Sequence, residues 1–188
     1  MRRRALVLAF SLGCSSQGGA DPSANSVAPS ASTVLLTPPS GMREIHAAEL
    51  GRSAQLLGQP DLSSRDPERR RRAALALARI ADAHAHPLLL RMLSDEDPEV
   101  VALAAYGLGF DCSHERDKTV SALAARAASL SVGDPKGEAK TRAIVPIARA
   151  IGRCASPLSE EILVSWLGAA AAQAEAAALG LGDLAAAH

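Results

Sequence analysis

The tripeptide Asp66-Pro67-Glu68 returns 31 residues later as Asp97-Pro98-Glu99, and each copy opens a stretch rich in alanine and leucine. Self-similarity at such a period marks stacked supersecondary units, none of which buries its apolar face alone. The local chemistry supports helices. An aspartate before a helix accepts hydrogen bonds from the first free N–H groups, and proline at the next position gives up no needed donor. Glu68 and Glu99 then lie in the first turn, where negative charge suits the positive end of the helix dipole. Behind the caps, Ala73, Ala76, Leu77 and Ile80 recur at helical spacing. The second copy supplies Ala104, Gly107 and Leu108 before Asp111 breaks the pattern.

A second helix follows in the first unit, predicted to begin with Pro87 at its first position and to run through Leu93. The unit is thus helix, turn, helix, then Asp-Pro again. Taken together, residues 66–109 resemble the HEAT repeat, in the short bacterial form also found in phycobilisome lyase-like proteins. The resemblance implies an all-α, right-handed α-solenoid of antiparallel helical hairpins. Repeats are placed at about 66–96, 97–133 and 136–168, with a partial unit over 169–188, in a solenoid domain spanning 41–188.

Later units are read from weaker signals. Residues 119–130 carry Val120, Leu123, Ala124 and Ala127 as the inner face of a second helix. Residues 131–137 hold Gly and Pro and read as a loop. Residues 140–153 read as the next first helix, with a kink or late start expected at Pro146. Residues 156–161 form a capped start leading to Ile162, Leu163, Trp166 and Leu167 on one face. Residues 169–181 supply a further first helix, and residues 42–57 a helix capping the array. Only 2 % of the chain is aromatic against 48 % hydrophobic, so Ala, Leu, Ile and Val must build thin helix-on-helix layers.

The N-terminus carries a separate message. Arg2-Arg3-Arg4 precede an apolar run and then Ser11-Leu12-Gly13-Cys14, which describes an export signal over residues 1–13. Cys14 after Gly13 resembles a bacterial lipobox and is the candidate lipidation site, although Ser11 stands where that motif has leucine. Ser11 and Gly13 equally suit ordinary signal peptidase. Lipidation is favoured because residues 14–40 are rich in Ser, Ala, Gly, Pro and Asn and form a tether reaching roughly 25–30 Å. The resemblance then implies an envelope location, with Ser15 favouring the outer membrane.

Candidate chemistry is sparse. Asp82, His84 and His86 are read as polar residues of an interhelical turn rather than metal ligands. His114-Glu115 lacks the second histidine of a zinc-protease helix, since Lys118 stands there. Gly180–Ala185 spells GxGxxA, but it follows a helical stretch and is read as a helix end. The predictions are therefore no catalytic residues, no metal and no cofactor. Losing residues 1–13 removes three arginines and no acid, leaving 17 basic against 20 acidic residues, which gives no case for nucleic acid. Arg65 and residues 69–72 are read as a solvated basic face, with anionic lipid or an acidic partner as the alternative. Trp166 is assigned to the core. Cys112 and Cys154 fall at the turns of adjacent repeats, where geometry decides between a disulfide and two buried thiols.

The functional expectation is a non-enzymatic protein–protein interaction scaffold, exported and membrane-tethered by a lipid. The alternatives are a phycobilin lyase-like protein and a structural envelope component. In HEAT solenoids the second helices line the binding groove. Carried over, this makes Arg91, Lys118 and Arg126 candidate partner-binding cations for an acidic protein segment.

Overall fold

The computed structural model describes residues 42–113, 115–133 and 138–187. They belong to one of two units of the chain, Thr37–His188; the other, Met1–Leu36, lies outside the described residues, with the predicted signal, Cys14 and most of the tether. All regular structure among the described residues is helical: α1 (Arg43–Gly51), α2 (Gln59–Leu62), α3 (Pro67–Ile80), α4 (Ala85–Met92), α5 (Pro98–Leu108), α6 (Arg116–Gly133), α7 (Glu138–Cys154), α8 (Ser159–Trp166) and α9 (Ala171–Ala186). The fold is an all-α solenoid. First helices stack in a row, α1 on α3, α3 on α5, α5 on α7 and α7 on α9, while α2, α4 and α8 pack against that row.

The repeated tripeptide works as its chemistry dictates. Asp66 accepts from the Glu68 N–H at 3.0 Å and Asp97 from the Glu99 N–H at 2.8 Å, with Pro67 and Pro98 opening the two helices. The apolar spacing behind them delivers the core: Ala73, Ala76, Leu77, Ile80, Ala104, Gly107 and Leu108 are all buried. Three helices, α1, α3 and α7, close on a left-handed residue that is not glycine: Arg52, Ala81 and Ala155, with φ of 48°, 49° and 46°. The recurring turn geometry outweighs a steric cost of about 1–2 kcal/mol at each.

Small residues set how near the first helices come. A Cβ on Gly107 would lie 2.8 Å from the Ala78 Cβ, and one on Gly109 3.0 Å from the Ala150 Cα. The tightest crossing joins α7 and α9. There a Cβ on Gly152 would run into the Gly180 carbonyl, and one on Gly180 would lie 2.5 Å from the Ala148 carbonyl oxygen. Residues 180–185 are therefore not a helix end: α9 continues to Ala186, because a glycine buried against a neighbouring backbone is kept for space rather than for termination.

Other expectations need correction. The predicted loop over 131–137 starts too early, since α6 runs through Gly133, while residues 134–137 lie outside the described ones. Pro87 is the third residue of α4, not the first, because Asp82 rather than proline organises that start. Pro146 imposes no late start; it sits inside α7, which begins at Glu138. Leu163 and Trp166 are buried as expected, but Leu167 follows the end of α8 and is 45 % exposed. The N-terminal cap is a nine-residue helix and a single 3-10 turn, Ala54–Leu56, rather than one helix to residue 57.

Two glycines two residues apart in α9 should respond oppositely to alanine. Gly180→Ala should destabilise the protein by about 1–3 kcal/mol. Gly182, with open space around a Cβ, should gain about 0.5–1 kcal/mol as Gly182→Ala. Urea unfolding of the two variants decides; matching shifts would remove the close crossing as the reason for Gly180.

Candidate protein-interaction surface

Of the expected solvated face, Arg69, Arg70 and Arg71 are instead held in contacts, while Arg72 stays exposed. Arg69 donates to Asp61 at 2.7 and 3.0 Å, and Asp61 also accepts from the Gly58 N–H at 3.1 Å, which fixes α2 on α3. Arg70, only 6 % exposed, pairs with Asp95 at 2.8 and 3.0 Å and with Glu96 at 3.2 Å, and donates to the Ser64 carbonyl at 2.7 Å. Arg71 reaches Asp97 at 2.7 and 3.0 Å, and Arg72 pairs with Glu68. Only Arg65 of the cluster is exposed and without a carboxylate partner among the described residues. The acids that Arg70 and Arg71 meet lie one cap further along the chain, so these contacts join consecutive repeats.

Asp97 consequently has two tasks. It caps α5 and accepts Arg71 from α3. Its burial would push the carboxyl up, but Arg71 and the Glu99 and Val100 N–H groups outweigh that and hold it below the usual carboxylate range. Hydrogen bonding to Asp95 and to Asp97, more than offsetting burial, raises Arg70 and Arg71 above the usual guanidinium value.

The turn with Asp82, His84 and His86 is a second structural knot. Asp82 accepts from the N–H groups of Ala54, His84 and Ala85 at 3.0, 3.0 and 2.8 Å; these bonds overcome burial and hold it below the carboxylate range. His84 faces Gln55 at 2.9 Å. Buried His86 places Nδ1 2.8 Å from the Asp111 carbonyl, which can only accept. Nδ1 therefore carries a proton, and Nε2 lies 3.1 Å from the buried Thr119 hydroxyl, which can serve as its hydrogen-bond partner. Among the described residues no group of three or more His, Cys, Asp or Glu is placed to hold a metal ion. His114 lies outside them.

The three candidate cations differ in setting. Arg91, on α4, is exposed, donates to the Gln59 side chain at 3.2 Å and lines a cavity of about 520 Å³. Lys118 is exposed and pairs at 3.0 Å with Glu115, the residue just before its helix. Arg126 is half-buried and donates to the Asp95 carbonyl, and burial pushes its guanidinium down from the usual range. Of the three, only Arg91 lines the cavity. Its companions there are Arg65 and Arg70, over a floor of Leu62, Leu88 and Met92, with serine hydroxyls and Asp95 and Glu96 at the wall. Since Arg70 is committed to Asp95 and Glu96, the lining guanidiniums with no carboxylate partner among the described residues are those of Arg65 and Arg91. Sequence reading missed this cavity because α2, a single turn, carries no periodicity.

Cys112, just past α5, and Cys154, the last residue of α7, are joined as a disulfide with Cα atoms 5.2 Å apart, at positions separated by 42 in sequence. A bridge of this span contributes about 2–4 kcal/mol. No helix among the described residues is long and apolar enough to cross a membrane.

Compared with known proteins, residues 60–139 match the family model of HEAT repeats, which supports a HEAT-repeat protein. The matched stretch covers the two tripeptide caps and the arginine–aspartate contacts between them. No curated protein matches the chain significantly.

The Asp97 pair sets a pH dependence. A depressed carboxyl contributes stability that is fully present above its unfolded pKa, about 3.9, and is lost as pH falls through the lower folded value. Asp97→Asn keeps a competent cap but loses the charge. It should cost about 1–2 kcal/mol at neutral pH, with the gap to wild type closing below about pH 4. Urea titrations at several pH values test this; a gap that stays constant into acid would show that Arg71 does not act on the Asp97 charge.

Proposed function

We propose that this chain is an interaction scaffold, exported and lipid-tethered, whose arginine-flanked cavity takes an acidic residue of a protein partner. HEAT repeats generally serve as protein-interaction scaffolds, and an all-helical repeat fold of this kind is typically non-enzymatic. The observation that carries the finer reading is the cavity itself. Arg65 and Arg91 stand at its edge without a carboxylate partner among the described residues, above the Leu62, Leu88 and Met92 side chains. A carboxylate flanked by an apolar residue matches that pairing of charge and floor, and rim cations of this kind act mainly on association rate.

Export is supported by the basic-then-apolar start and by the disulfide, since such bridges persist in oxidising compartments. The lipobox-like Gly13-Cys14 and the polar stretch behind it argue for a lipid on Cys14 and a bacterial envelope location, with Ser15 favouring the outer membrane.

Two experiments separate these elements. Cys14→Ala should move the protein from the detergent phase to the aqueous phase of a phase partition; a variant that partitions like wild type overturns the anchor. For the cavity, Arg65→Glu combined with Arg91→Glu should lower recovery of the cross-linked partner by about tenfold while leaving thermal unfolding unchanged, as both side chains are exposed. A partner recovered equally by wild type and double variant overturns the cavity as its seat.

A further inference from the structure

The described residues hold few aromatic side chains, and two of them are spent on the surface. Tyr106 is 45 % and Phe110 57 % exposed, one helical turn apart at the end of α5, with ring centroids 4.8 Å apart and planes at 73°. Burial in the core does not explain either ring. Arg153, from α7, lies with its guanidinium carbon 5.0 Å from the Phe110 centroid and is held from its other side by Asp183 at 3.4 Å. The pair and the arginine thus form a preordered cluster drawn from two repeats.

Beside it opens a cavity of about 330 Å³, walled by Phe110, Arg116, Arg153, Ser113 and the Cys112–Cys154 bridge. Among the described residues no carboxylate lines it. Arg116, at the start of α6, is exposed and has no carboxylate partner among the described residues. A cation there is also repelled by the positive end of its own helix dipole, so the position gains from an incoming anion. The disulfide fixes the α5 and α7 ends that form the two walls.

We infer that Tyr106, Phe110, Arg116 and Arg153 form a second docking surface, which binds a protein segment carrying an aromatic residue next to a carboxylate. Charge complementarity selects the occupant: the unpaired Arg116 guanidinium, beside Arg153 and with no carboxylate among the described lining residues, calls for an anion, and the exposed Phe110 ring in the wall, in edge contact with Tyr106, calls for an apolar neighbour. Arginine in the wall of a small pocket, and tyrosine packed on one of its wall residues, are also the residue types that concentrate binding energy in protein interfaces. Prior ordering of the rings and of Arg153 lowers the entropic cost of association. This surface shares no lining residue with the Arg65–Arg91 cavity, so the two assignments fail independently.

The test uses the full-length chain and a fluorescent peptide of sequence Gly-Asp-Phe-Asp-Leu-Gly, with an Asn-for-Asp twin, followed by fluorescence polarisation. Saturable binding that weakens with salt is expected, and about tenfold weaker binding by the Asn twin. Phe110→Ser and Arg116→Glu, both at exposed positions, should each weaken the acidic peptide by about tenfold with unchanged melting temperature. Arg65→Glu with Arg91→Glu should bind as wild type. The proposal is overturned if the acidic peptide does not saturate, if Phe110→Ser and Arg116→Glu bind like wild type, or if the Arg65/Arg91 variant loses the peptide instead. It is equally overturned if vesicles containing phosphatidylglycerol displace the peptide, because the surface then reads lipid.

Discussion

Backbone approach between successive first helices is the constraint on which this chain depends. With almost no aromatic volume available, the layers must be thin, and thin layers hold together only where dispersion contacts are made at short range. Gly152 against Gly180, Gly107 against Ala78 and Gly109 against Ala150 provide that range. The large aliphatic side chains, Leu77, Leu108, Ile144, Ile147 and Ile151, then fill the spaces beside the crossings and are fully buried. Glycine in a helix interior costs about 1 kcal/mol in propensity; here the cost is offset by contact along the helices that cross there.

Polar contacts add direction to a stack that apolar contact alone would leave free to slide. Arg70 and Arg71 of one repeat grip Asp95, Glu96 and Asp97 of the next cap, and His86 ties α4 to the turn after α5. Each bond is specific in distance and angle, so register follows from it. Arg149 and Arg153 meeting Asp183 repeat the device between α7 and α9. The buried pair at Arg70 is weak evidence for net stability, since desolvation opposes it. Its role is to define which residues of neighbouring repeats face each other.

What the sequence disclosed was local. Asp66 and Asp97 announce helices because a cap is a contact between residues two apart, and the apolar spacing of α3 marks its buried face because helical geometry is periodic. What stayed hidden depends on partners far along the chain. Arg70 and Arg71 align with Val101 and Ala102 of the next copy, so no repeat signal pointed to their acids. Gly180 looks the same whether it ends a helix or admits a neighbour; only the position of Ala148 decides. Tyr106 and Phe110, four residues apart across the end of α5, were a readable pair, but Arg153 comes from the following repeat and could not be placed beside them without the fold. The cavity at Arg91 takes part of its floor, Leu62, from α2, a single turn with no pattern to detect.

The bridge between Cys112 and Cys154 has a mechanical meaning as well. It spans α6 and α7 and joins the end of one first helix to the end of the next. A load drawn through the backbone passes across the sulfurs and bypasses everything between them. The stretch closed by cysteines 42 positions apart stays out of the extension, shortening the fully stretched chain by about 140 Å at roughly 3.4 Å per residue. Anything tethered at one end of such a molecule and grasped at the other would feel a stiff middle between two extensible arms.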